Sequence, residues 1–189
     1  MNLLMVRHGE VHSNIKKVYA GKSPEPLTEK GVGQAEDVSE KLTKYQVSAL
    51  YSSPIQRAFQ TAHIIGKEIG KNVVIEDSFR ELEMGPWEGM SENDVEQTYP
   101  LEWNIWQTRP AELRLPGRET LDDLLKRVLA GLQKVYHTGS NRNIIIVTHV
   151  AIIRVLLLWH SRKSLNLYKT INVPNAEIFN LKINSSPTL

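Results

Sequence analysis

The sequence predicts an α/β fold of three layers, with helices on both faces of a mostly parallel central sheet. Two observations predict it. Short apolar runs, too brief for helices, alternate with longer segments whose apolar residues recur every three or four positions. Two of these runs, at 3–6 and 144–147, stop abruptly at polar residues, as buried parallel strands do where they deliver polar groups to a sheet edge. At 189 residues the chain is long enough to bury its own core, and one domain over 1–189 is expected.

The first strand is Leu3, Leu4, Met5 and Val6, followed by Arg7, His8, Gly9 and Glu10. Arg7 offers a planar fork of donors suited to phosphate or carboxylate, and His8 can act as nucleophile, base or metal ligand. Gly9 would let the backbone approach a ligand closely. A polar loop is expected over 10–17, then an irregular stretch over 21–26 enforced by Gly21, Pro24 and Pro26. Thr28 caps a helix whose buried face is Val32, Ala35, Val38, Leu42 and Tyr45. Gly31 and Gly33 lie inside that pattern and follow no strand, so they are not a dinucleotide fingerprint.

A second strand at 47–51 runs into Ser52, Ser53 and Pro54, where Ser53 suits the N-cap and Pro54 the first helical turn. That helix buries Ile55, Ala58, Phe59, Ala62, Ile65 and Ile69, stops near Gly70, and carries Arg57 in its first turn, where anions are favoured. A third strand at 73–76 precedes an irregular acidic segment over 80–89. Ser91 with Asp94, and Thr120 with Asp123, each resemble a capping box. The second box opens an amphipathic helix over 121–136. Residues 99–118 place Trp103, Trp106 and two prolines among three arginines, which suits a lid better than a core element; the lid-like insertion is drawn at about 86–118. A turn at 140–143, a strand at 144–147, His149, a helix over 150–159, a strand over 177–183 and a frayed tail from 185 complete the chain.

Composition excludes several classes of partner. With 23 basic and 21 acidic residues and a formal charge of +2, the chain has no polyelectrolyte signature for nucleic acid or an anionic membrane. It has no cysteine, hence no disulfide, thiolate metal site or thiol nucleophile, which fits a cytoplasmic protein. The first residues do not read as a signal peptide. The stretch 144–159 is shorter than the ~20 residues a membrane span needs and contains His149 and Arg154.

Arg7, His8, Arg57 and His149 each fall at a strand end or at a helix start just after one, so all four should converge in the crevice beyond the sheet. Fixed cations plus imidazoles suit a dianionic phosphoryl group, and no metal or other cofactor is expected. His63, His137 and His160 read as structural or solvated. A metal pair of His8 with His12 lacks nearby carboxylates.

Five blocks carry a resemblance. They are Arg7-His8-Gly9; Pro26 to Gly31 with Gln34 and Ala35; Ser52-Ser53-Pro54 with Arg57, Thr61 and Ala62; Arg80-Glu81 with Gly85 and Trp87-Glu88-Gly89; and Val147-Thr148-His149. In this order they resemble the histidine phosphatase superfamily, also called the phosphoglycerate mutase-like family. The resemblance implies the phosphoglycerate mutase-like fold and a phosphatase acting through a phosphorylated His8. It implies that Arg7, Arg57 and His149 bind the phosphoryl oxygens with Asn14, and that Glu81 is the acid that protonates the leaving oxygen and then activates water. Glu83 is its local rival, but Glu81 has the family's spacing to Gly85. Gly21 and Val150 are counted among the substrate-binding residues. The chain departs from the family at Ser23 or Pro24, where many members have aspartate, and at Val150, where a glycine usually follows the histidine.

The partner implied is a small phosphorylated metabolite, and a homodimer stays open. The pattern around Tyr19, Gly21, Pro24 and Pro26, with Asn104 and Trp106, partly resembles the alpha-ribazole phosphatases. Trp87, Trp103 and Trp106 could then stack on a ring-bearing leaving group. Two other readings remain: a cofactor-dependent phosphoglycerate mutase or other phosphotransferase, and a non-catalytic protein that binds phosphorylated ligands.

Overall fold

The computed structural model describes residues 1–137 and 143–187. Its centre is a five-stranded sheet in the order β3-β2-β4-β1-β5, formed by β1 (Asn2–Arg7), β2 (Val47–Ser52), β3 (Val73–Ile75), β4 (Asn143–Thr148) and β5 (Ile178–Lys182). The β1–β4, β4–β2 and β2–β3 pairs are parallel, and β5 runs antiparallel along β1. The expected turn at 140–143 and the end of the tail lie outside the described residues, except for Asn143, which opens β4.

Alternation along the strands makes the layers. Leu3 and Met5 of β1, with Ile144 and Ile146 of β4, face a core that contains the buried sides of α6 (Leu121–His137) and α7 (Val150–His160). Leu4, Val6, Ile145 and Val147 face the other way, onto α2 (Glu29–Leu42) and α3 (Gln56–Ile69). A strand covered on both faces must be apolar at every position, which is why these two runs are continuous rather than alternating. α2 and α7 follow neighbouring parallel strands but pack on opposite faces, so a crevice opens beyond the carboxyl ends of β1 and β4.

Several expectations are corrected. The loop at 10–17 contains a short helix, α1 (His12–Lys16), begun where Asn14 Oδ1 accepts the Val11 amide at 3.2 Å and Glu25 Oε1 accepts that of Ser13 at 2.8 Å. α3 starts at Gln56, not Pro54: Ile55 is still extended, with φ −70° and ψ 132°, although Ser53 Oγ accepts its amide at 3.2 Å. Val32 and Phe59 are exposed on adjacent helices rather than buried. The segment expected as a lid forms α4 (Glu92–Thr98) and α5 (Pro100–Thr108), and its Val95, Trp106 and Leu113 are anchored in the larger core with Trp87. Apolar side chains so placed make it a packed wall. Pro187 in the tail is buried, and its carbonyl accepts from Gln133 Nε2 at 2.6 Å.

Candidate active site

His8 and His149 stand where the sheet ends. The His8 amide donates to the Thr148 carbonyl at 3.0 Å, and the two rings lie edge to face with centroids 5.2 Å apart. His8 Nδ1 is 2.7 Å from the Gly9 carbonyl, which can only accept, so this nitrogen carries the proton. Nε2 therefore holds a lone pair, and Arg57 Nε donates to it at 3.1 Å. Arg57 is fixed in turn by the carbonyls of Ser23 and Gly21, at 3.1 and 2.8 Å. His149 Nε2 is 2.7 Å from Ser53 Oγ, which already accepts the Ile55 amide. The buried Nδ1 of His149 has no partner.

Arg7 is held through a bond from Nη1 to the Val173 carbonyl, while its buried Nε has no partner. Asn14 Oδ1 accepts from Asn175 Nδ2 at 3.0 Å, and the same amide donates to the His8 carbonyl at 2.9 Å. Glu81 is buried, with Oε1 accepting the Leu82 amide at 2.9 Å. One cavity of about 190 Å³ is lined by Arg7, His8, Asn14, Gly21, Arg57, Glu81 and Val150 among others. Of the residues singled out in the sequence, His149 sits behind that wall, beside His8.

Gly9 does not face a ligand. A Cβ there would fall 2.3 Å from the Gly31 carbonyl oxygen, and one at Gly31 would fall 2.2 Å from the Glu10 oxygen. The two glycines let the active loop rest directly on the start of α2. Gly21 has a φ of +48°, and a Cβ there would meet the Glu88 side chain at 2.4 Å, which is why this turn takes glycine.

Burial sets the charge states. It pushes both His8 and His149 well below the ordinary imidazole value, helped by Arg57 and then by other neighbouring groups. It lowers Arg7 to about 10. The same desolvation raises Glu81, outweighing the opposite pull of Arg57, the Leu82 amide and Arg7. Glu83 behaves differently: it is partly exposed, paired with Lys22 at 2.8 Å and Arg80 at 3.2 Å, and held low chiefly by Lys22. Among the described residues, no three His, Cys, Asp or Glu side chains gather as metal ligands would, and His12 is exposed.

Residues 3–188 match the model of the histidine phosphatase superfamily, branch 1. The chain belongs to the histidine phosphatase superfamily. It is 30% identical over 156 residues to phosphoserine phosphatase 1 of Hydrogenobacter thermophilus, covering 82% of this chain and 74% of that one. It is 34% identical over 153 residues to the uncharacterized phosphatase PhoE of Bacillus subtilis, with 81% and 74% covered. The fold matches the structure of Bacillus stearothermophilus YhfR with a TM-score of 0.92 at 23% identity, covering 98% and 92% of the two chains.

Within this histidine phosphatase, sequence reasoning missed four residues. Arg154, Tyr168 and Lys169 line the cavity, and Asn175 braces the His8 loop. Arg154 carried a signal, being a lone cation inside an otherwise apolar helix. The others come from a segment without periodicity.

Proposed function

We propose that this histidine phosphatase is a phosphomonoesterase that works through a phosphorylated His8 and needs no metal. The observation that carries the reading is the placing of two buried groups on one cavity: His8 with its lone pair on Nε2, and Glu81, which burial shifts toward its protonated form while it shifts His8 toward its neutral form. His8 Nε2 attacks phosphorus, the P–O bond to the leaving group breaks, and the Glu81 proton goes to the departing oxygen. Before the attack, Arg57 Nε–H redirects its hydrogen bond from His8 Nε2 to a phosphoryl oxygen, which frees the lone pair while arginine keeps its proton. Arg7 Nε–H, buried without a partner, supplies a further donor for the charge that develops, and His149 Nδ1, likewise without a partner, supplies another in the tautomer that carries its proton there. In the second step Glu81 takes a proton from water, the hydroxide oxygen bonds to phosphorus, and the N–P bond breaks to release phosphate.

The substrate is a small phosphate ester. Phosphoserine and alpha-ribazole phosphate belong in the test because relatives carry those names, and the sequence around Tyr19 and Trp106 resembles the second group. Phosphate release in the presence of EDTA, across these esters, 3-phosphoglycerate, sugar phosphates and nucleotides, is expected for at least one of them. His8→Ala abolishes turnover and covalent labelling; a variant that still turns over refutes the nucleophile. Glu81→Gln slows alkyl esters by ~10²–10⁴, and Glu83→Gln stays near the parent enzyme. Conversion of 3-phosphoglycerate without phosphate release would replace this reading with a mutase.

A further inference from the structure

The peptide that carries Glu81 belongs to no strand or helix. It lies between the 3-10 turn Asp77–Phe79 and another at Gly85–Trp87, so ladder bonds of the sheet do not place the acid. Side chains do. Arg127 Nη1 donates to the carbonyls of Ser78 and Arg80 at 2.9 and 3.1 Å, and Arg127 Nη2 donates to that of Glu81 at 3.4 Å. Thr148 Oγ1 donates to the carbonyl of Phe79 at 2.7 Å. Four successive carbonyls, from 78 to 81, are thus held by two side chains that lie 46 to 69 residues away in sequence.

Arg127 is itself fixed. Its Nε and Nη2 grip the two oxygens of Glu119 at 2.8 and 2.7 Å. With the three carbonyls this makes five hydrogen bonds, one for each N–H of a guanidinium. The Arg127 and Glu119 side chains are only 14% and 10% exposed, and neither lines the cavity. Glu119 reaches the same peptide: its amide donates to the Glu83 carbonyl at 3.0 Å, and its Oε2 accepts the Glu83 amide at 3.4 Å. α6 can approach this closely because Gly131 follows Arg127 by one turn on the same face, where a Cβ would fall 2.4 Å from that of Ser78.

We propose that Arg127, gripped by Glu119, is a positioning residue for the reaction, setting where the Glu81 carboxyl stands relative to the leaving oxygen. The inference rests on the phosphatase reading and on Glu81 as its acid. Arg127 touches no reacting atom and acts through the backbone of 78–81. Only a rigid planar fork meets two carboxylate oxygens and three carbonyls at once, so lysine is a poor substitute.

Two leaving groups test it. An alkoxide must be protonated as it departs, whereas p-nitrophenolate leaves as the anion, so a misplaced acid slows the first and spares the second. The readout is kcat/KM for the alkyl ester that the parent enzyme hydrolyses fastest, divided by kcat/KM for p-nitrophenyl phosphate. Such a ratio is insensitive to how much of a variant is folded, and general loosening of the structure slows both esters alike. Glu81→Gln sets the scale by lowering it. Arg127→Met is expected to lower the ratio by at least ~10-fold, since a displacement of about 1 Å can cost ~10²-fold. Arg127→Lys lowers it nearly as much, and Glu119→Gln lowers it less. Adding Arg127→Met to Glu81→Gln should lower it no further, because nothing is left to position. A ratio unmoved in both Arg127 variants, or effects that multiply in the double variant, overturns the inference while leaving the phosphatase standing. A Glu81→Gln ratio equal to the parent's removes the acid and this inference together. A parent enzyme that hydrolyses no alkyl ester overturns the phosphatase reading, and this inference with it.

Discussion

Glu81→Gln reports on the buried acid through stability, independently of turnover. Consider the range between the ordinary carboxyl value of 4.5 and the ordinary imidazole value of 6.5. In the unfolded chain Glu81 is ionised there and His8 and His149 are protonated, so these groups hold two protons. In the fold, burial raises Glu81 and lowers both histidines, so Glu81 binds more proton than it does unfolded and each histidine binds less. The signs differ by group. The depressed histidines contribute stability that is present above 6.5 and lost on acidification, each with a slope of up to ~1.4 kcal/mol per pH unit, whereas the raised carboxyl contributes stability that is present below 4.5 and lost as pH rises, which offsets up to the same slope. Glutamine removes that offset, so the fall of stability on acidification steepens by up to ~1.4 kcal/mol per pH unit. Urea unfolding of parent and variant at several pH values in this range, at constant salt, measures both slopes. Parallel slopes would mean that Glu81 is ionised in the fold, and it could not then arrive at the substrate as an acid.

Other consequences follow from single contacts. Gly31→Ala drives a Cβ into the Glu10 backbone and should cost ~1–3 kcal/mol, whereas Gly33→Ala, with open space around it, should gain up to ~1 kcal/mol; urea midpoints of the two separate close approach from helix propensity. Ser53→Ala strips His149 Nε2 of its partner and should lower stability by ~1–3 kcal/mol, read in the same assay. The pH profile of kcat/KM should be bell-shaped, falling on the acid side as His8 is protonated and on the alkaline side as Glu81 ionises; a profile flat on the alkaline side would remove Glu81 as the acid.

The parts of the site legible in the sequence are those tied to strand ends. His8, Arg57 and His149 could be placed because an apolar run that stops at a polar residue says both where the strand ends and what it delivers. Glu81 could not be placed that way, since an acidic loop over 80–89 holds several carboxylates and only burial, which is a tertiary property, separates it from Glu83. Ser53 shows the opposite case. Local rules make it the cap of a helix starting at Pro54, but its hydroxyl, besides accepting the Ile55 amide, meets His149, 96 residues away in sequence, and the helix begins two residues later than Pro54. Trp106 and the rest of 99–118 looked like a lid because prolines and arginines interrupt any period. Trp106 and Leu113 are nonetheless buried in the core that also holds Trp87 and the inner face of α6, which no local pattern encodes. Tyr168 and Lys169 reach the cavity because the 3-10 turn Leu165–Thr170 after α7 comes back to line it.

One physical effect prepares both halves of the proposed reaction. Desolvation penalises whichever form of a group is charged, so the same burial shifts His8 toward its neutral, nucleophilic form and Glu81 toward its protonated, acidic form. Neither group needs a dedicated partner to tune it. Arg57 and Arg7 push the two in the same sense for ionisation, down for both, and burial overrides them only at the carboxyl. A phosphoryl dianion entering the cavity would offset those two cations, and the pull that holds Glu81 down would weaken as the substrate seats. The acid thus becomes more firmly protonated when there is a leaving group to receive the proton, and it is freed to ionise once that group has departed with it.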